Sequence, residues 1–155
     1  MGIALSTAGV TVGYAIEATA GERPTSVYKI VPDVKSVPEM NPEPETLEST
    51  TLAETEYKTY IEGLKDLGGA LSFTANFTTE LETVWAELVA EYQTAKAENK
   101  SVWFEVKHPS LAKSVFFTGQ PSAMGLPEMS VNSILETNLY ITPTNAPIWE
   151  TKTTA

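Results

Sequence analysis

Gly68-Gly69-Ala70-Leu71-Ser72-Phe73-Thr74-Ala75-Asn76-Phe77-Thr78 is the stretch whose reading decides the fold of this chain. The paired glycines signal a turn. After them Leu71, Phe73, Ala75 and Phe77 alternate with Ser72, Thr74, Asn76 and Thr78, the period-two pattern of a strand with one apolar and one neutral polar face. The period then changes. Leu81, Val84, Trp85, Leu88, Val89 and Tyr92 recur at helical spacing, and Thr79 and Glu82 stand at capping-box spacing. Glu80, Glu82 and Glu87 sit toward the start, and Lys96 and Lys100 toward the end, which complements the helix dipole. The spacing predicts a helix over about 80–98, roughly 28 Å long, stopped by Asn99. A sheet with one apolar face must be covered, so the helix stripe reads as core.

Outward from this unit the chain is rich in strand signals. Val10, Val12, Tyr14 and Ile16 alternate with Thr11, Gly13, Ala15 and Glu17. Residues 21–44 hold five prolines, which interrupt ladders, so short extended pieces are expected at 28–31 and 34–37. Residues 45–52 read as a polar strand. No clean period runs through 53–69, yet this segment carries Tyr57, Tyr60, Ile61, Leu64 and Leu67, too apolar for a solvated linker. It reads as a long interaction loop that orders against a partner. Val102, Phe104 and Val106 form a strand, His108-Pro109-Ser110 a turn, and 115–117 a short buried strand ending at Gly119. Residues 121–128 read as loop. A last strand is expected over 131–142, with Val131, Leu135, Leu139 and Ile141 on one face and Asn132, Glu136 and Asn138 on the other. Residues 1–9 and 143–155 read as N- and C-terminal arms, and Trp149 in the second needs cover. The expected class is one mainly β domain over 1–155, a β-sandwich or barrel with one flanking helix.

Composition narrows the function. The 155 residues suffice for one domain with a real core, and no apolar run approaches membrane-spanning length. Asp and Glu number 20 against 10 Lys and Arg, a formal charge of −10. A sequence-independent DNA binder needs cations to release phosphate counterions, so stable nucleic-acid binding is not expected, while DNA as repelled, passing cargo fits. Cysteine is absent, which removes disulfide and thiolate chemistry. The first residues lack a secretory pattern, and assembly in a reducing cytoplasm is the expectation. His108 is the sole histidine and reads as a turn residue, not a zinc ligand. No nucleophile elbow, phosphate loop or distinctive acidic pair stands out. The Met1-Gly2 myristoylation pattern and the Asn76-Phe77-Thr78 sequon are short enough to arise by chance. No catalytic residue, cofactor or metal is expected.

Thr50-Thr51-Leu52, the segment 60–67, the Gly-Gly-led strand 71–78, the Trp85 helix, 104–108 and 131–142 together resemble the major tail tube proteins of long-tailed, siphovirus-type bacteriophages. The resemblance spans most of the chain and implies a sandwich-like fold with one helix. It also implies six subunits closing into a ring, rings stacking into a tube around a tape measure protein, terminator and tip proteins at the ends, and a place in the virion tail. It implies no enzymatic activity. On this reading Ser72, Thr74, Asn76, Thr78, Asn132, Glu136 and Asn138 line the channel, since a lumen wall should be polar but not basic. Tyr57, Tyr60, Leu64 and Trp149 meet neighbouring subunits. Two alternatives stand beside it: the inner tube of a contractile tail or type VI secretion-like system, and a monomeric carbohydrate-binding β-sandwich using Trp103 or Trp149.

Overall fold

The structure, a computed structural model, describes residues 2–25, 28–41, 44–53, 55–65 and 69–153, with the backbone alone at 63–65. Eleven elements follow in order: β1 (Thr11–Ile16), β2 (Lys29–Val31), β3 (Val34–Ser36), β4 (Pro44–Glu48), β5 (Tyr60–Lys65), β6 (Leu71–Asn76), α1 (Thr79–Ala97), β7 (Val102–Lys107), β8 (Lys113–Pro121), β9 (Glu136–Pro143) and β10 (Ile148–Thr151). The main sheet is antiparallel in the order β2-β1-β7-β8-β9-β6-β3. Its two edge strands, β2 and β3, are joined by only Pro32 and Asp33, so one tight turn draws the edges together and the sheet nearly closes into a barrel. Asp33 takes φ +62° there. Its backbone oxygen accepts from Asn76 N at 2.9 Å and its carboxylate from Thr78 Oγ1 at 2.6 Å.

The core lies inside this curve. Leu71, Phe73 and Ala75 of β6 point inward beside Leu139 and Ile141 of β9, to which β6 is paired in register. Phe104 and Phe117 stack at 5.4 Å between ring centres. α1 closes the apolar face with Leu81, Trp85, Leu88 and Tyr92, and Val84 and Val89 pack at its margin. Burial of each such side chain is worth about 1.5–3 kcal/mol. The Trp85 indole N–H has a partner as well, donating to the Ser122 carbonyl at 2.8 Å.

The helix begins one residue earlier than the spacing predicts. Thr78, in extended conformation, is the N-cap, and its hydroxyl accepts from Leu81 N at 3.1 Å. Thr79 is the first helical residue, so the Thr79–Glu82 pair forms no capping box. At the other end Asn99 adopts φ +59°. Lys100 N donates to Ala95 O at 2.8 Å and Asn99 N to Lys96 O at 3.2 Å, the hydrogen-bond pair of a Schellman stop.

Four segments differ from the sequence reading. Residues 60–65 of the supposed loop form β5, which pairs with β4 as a separate two-stranded ribbon. β8 is nine residues long rather than three, because one strand serves three neighbours: β7 on one edge, and β9 and then β10 on the other. The stretch 143–155 is no free arm over its described part, since β10 returns along β8. Between Pro143 and Ile148 the chain leaves the ladder, and its own polar groups fill the gap. Thr118 N donates to Asn145 Oδ1 at 2.9 Å, and Thr144 N donates to Thr118 O at 2.9 Å. Finally, β9 starts at Glu136, not near 131. Asn132 sits in a turn at φ +60°, a conformation Asn tolerates and a strand does not.

Candidate functional site

The two ends of the sheet treat their outer faces differently. Across β1, β7 and β8 as far as Thr118 the outward side chains are buried or half-buried by the chain itself. Phe116 is covered by the Arg23 guanidinium, 4.4 Å above its ring, and by the Tyr28 ring edge-on at 5.7 Å. Glu105 is buried and accepts from both Thr153 N, at 3.1 Å, and Thr153 Oγ1, at 2.6 Å. Trp103 is buried too, its indole N–H donating to Glu17 at 2.8 Å. A carbohydrate platform on Trp103 is therefore ruled out by its burial, while Trp149 on β10 stays exposed.

Glu17 organises that covered side. Its carboxylate also accepts from Ser101 N at 2.8 Å and Gly21 N at 3.2 Å. Burial by itself pushes this carboxyl up, but the Trp103, Ser101 and Gly21 donors outweigh it and hold Glu17 below the ordinary glutamate value. Sequence reasoning placed Glu17 only as a polar position in an alternating strand. Nothing local marks it, because its donors lie up to 86 residues away.

The β6/β9/β3 end is the opposite. Ser72 faces Tyr140, Thr74 faces Asn138 and Asn76 faces Glu136 in direct cross-strand register, and Thr74 Oγ1 donates to Asn138 Oδ1 at 3.3 Å. These outward side chains are part-exposed or exposed. Five of the residues expected to line a channel (Ser72, Thr74, Asn76, Glu136 and Asn138) thus come together on one bare face. Thr78 leaves it to cap the helix and Asn132 leaves it for the adjoining loop. The face also carries one cation that the strand readings omitted. Lys35 of β3 reaches over β6 to an ion pair with Glu136, so its charge is matched locally.

Two apolar features stand beside the bare face and away from it. The loop 122–135 exposes Leu126, Met129, Val131 and Ile134. Where it meets the sheet, a recess of about 430 Å³ opens, lined by Leu126, Pro127 and Ile134 with Thr74, Asn138 and Tyr140. The β4–β5 ribbon exposes Leu47, Tyr60 and Ile61, and beyond its strands Leu52 and Tyr57. Of the residues expected to meet neighbours, Tyr57, Tyr60 and Trp149 are on the surface, and the Leu64 side chain and Leu67 lie outside the described residues. The N-terminal segment packs along the 108–110 turn. The His108 ring accepts from Ser110 N at Nδ1, 3.0 Å away, and its Nε2 meets the Ser6 carbonyl, as expected of a turn histidine.

No family model matches the chain, and no curated protein matches it. Among solved structures it is similar to a chain in the cryo-EM structure of the anti-feeding prophage baseplate, six-fold symmetrised. The TM-score is 0.57 at 9% identity, and the match covers 97% of this chain and 98% of the other. At that identity the likeness establishes a shared fold over the whole described molecule: a barrel-like antiparallel sheet with a single flanking helix.

Proposed function

We propose that this chain is a structural subunit of a phage-type tail, forming six-membered rings that stack into the hollow tube of a non-contractile tail and let DNA pass. The observation that carries the reading is the asymmetry of the sheet. The chain covers the outward face of β1, β7 and β8 with its own segments and leaves the β6/β9/β3 face bare, neutral and polar. A wall of Ser, Thr and Asn hydroxyls and amides wets readily, and the one lysine described on it, Lys35, is paired with Glu136, so phosphate finds no unpaired cation there. The surplus of acid elsewhere repels DNA. Sheet edges in so small a barrel invite pairing, and closing them between copies removes the hazard. The fold shared with a chain from a six-fold baseplate supports the reading. Tape measure, terminator and tip proteins are the partners it implies, with DNA as cargo only, a virion tail as the location, and no catalysis.

Negative-stain electron microscopy across protein and salt concentration tests it. Six-fold rings that stack into hollow tubes are expected. A chain that stays monomeric throughout, even with a purified tail-tip complex as nucleus, refutes it. A second reading, a baseplate ring or the inner tube of a contractile system, is favoured by the anti-feeding prophage likeness itself. Six-fold rings that form but never stack favour the baseplate ring.

A further inference from the structure

We propose that a recess beside β1 binds a small aliphatic amine, its ammonium group received by Tyr14 and Glu91, with Glu22 as a second negative charge in the lining. β2 pairs with β1 only from Val12 to Tyr14. Beyond that point the strand edge, α1 and the segment 18–25 bound a recess of about 510 Å³, the size of a small-molecule site. The site lies within one chain, so it stands whether or not copies assemble.

Tyr14 is what points to a ligand. It is 2% exposed, it lines the recess, and its hydroxyl has no hydrogen-bond partner among the described residues. Burying a hydroxyl without a partner is costly, and native structures do so rarely. Burial first, then the nearby Glu91 and Glu87 carboxylates, push this phenol up to about 12. It therefore keeps its proton and presents both a donor and lone pairs. Glu91 stands close enough to act on the phenol, yet not within a hydrogen bond of it. An ammonium group, with three donors, can bridge the phenol oxygen and the carboxylate.

The charges of the lining select a cation. Lys29, opposite Tyr14 across the β1–β2 ladder, gives its ammonium to Glu87. The Arg23 guanidinium lies over Phe116. Both cations of the lining are thus engaged. The Glu22 and Glu91 carboxylates make no hydrogen bond or ion pair among the described residues, so the charge left to be met is negative. A metal ion fits less well, because the described residues hold no group of three carboxylates or imidazoles for one. Ile16, Ala18 and Pro24 line the remainder and give methylenes an apolar surface to lie on. An ammonium group on a short alkyl chain matches all of these.

The probe is 1,4-diaminobutane, titrated by calorimetry into the full chain at low ionic strength. One saturable site is expected. Tyr14→Phe should weaken it about tenfold, the size of one hydrogen bond to a charged group, and Glu22→Gln/Glu91→Gln at least as much. Glu128→Gln/Glu150→Gln removes the same charge from exposed positions elsewhere and should leave the affinity at the parent value. Melting supplies a second readout. In buffer alone Tyr14→Phe should melt no lower than the parent, since it deletes a hydroxyl that has no partner. With the diamine present the parent should melt higher. Absence of saturable binding overturns the inference. So does a remote pair that weakens binding as much as the recess pair, because the amine then answers only to the net charge of −10. Parent-like affinity in Tyr14→Phe together with a lower melting point in buffer overturns it as well, since the hydroxyl is then a structural partner of Glu91.

Discussion

Replacing Glu17 tests the physics of the covered sheet face most directly. In Glu17→Ala three N–H donors lose their acceptor at once: the Trp103 indole, Ser101 N and Gly21 N. The indole is enclosed, because Trp103 is buried, so its desolvation is uncompensated, a loss of about 1–3 kcal/mol for such a donor. Ser101 and Gly21 are nearer solvent, and water recovers part of what they lose. About 3 kcal/mol in total is expected, which lowers Tm by roughly 6–12 °C in a chain of this size. Glu17→Gln keeps one acceptor oxygen but turns an amide N–H₂ toward another donor, so it should fall between parent and alanine variant. The pH dependence separates charge from packing. Because the folded state holds the Glu17 carboxyl below the ordinary 4.5, its contribution is fully present above that value. It is lost as pH falls through the lowered one. Thermal melts followed by near-ultraviolet circular dichroism should therefore show a parent–Gln gap that is widest near pH 7 and shrinks toward pH 3. A Glu17→Ala variant within 1 kcal/mol of the parent at neutral pH, or a gap indifferent to pH, would refute the reasoning.

Other expectations follow from single contacts. Thr78→Ala should destabilise by about 1 kcal/mol through loss of the N-cap, while Thr79→Ala should be nearly silent in the same urea titration. The reverse order would restore the capping box read from spacing. At Gly119 an added Cβ would lie 2.5 Å from Ile141 Cγ2 and 3.3 Å from the Thr142 carbonyl, so Gly119→Ala should cost about 1–3 kcal/mol. Combined with Ile141→Ala it should cost less than the sum of the two single changes, because they share that contact. Subunits that each carry net negative charge repel, and salt screens the repulsion. The critical concentration for assembly should fall as ionic strength rises, and a flat dependence in light scattering would count against electrostatic control.

Local periodicity was legible to the residue in places. Leu71, Phe73 and Ala75 read as the inward face of a strand and are that face. The Leu81–Tyr92 stripe reads as core and is core. The class of the fold, mainly β with one helix, follows from these two periods alone, because alternation and 3.6 spacing are set by backbone geometry within a few residues. The helix start was misplaced by one residue because two adjacent threonines both offer a cap. The choice between them is made by Asp33, 45 residues away, which holds Thr78 where β6 releases the chain.

What only the tertiary structure decided is who pairs with whom. β10 reads as tail because four residues carry no period of their own, and it becomes a strand because β8 extends past β9 and leaves an edge unpaired. Glu17 reads only as a polar position in an alternating strand, and nothing local marks Glu105. They are buried because Trp103 and Thr153 arrive from distant segments with donors to satisfy them. Asn132 reads as a strand residue on pattern and is taken from the bare face by a turn. In this chain local order states which side of each element is apolar. Which bare face survives, and which is covered, depends on contacts spanning tens of residues, whose closure entropy is offset only when the whole sheet forms together.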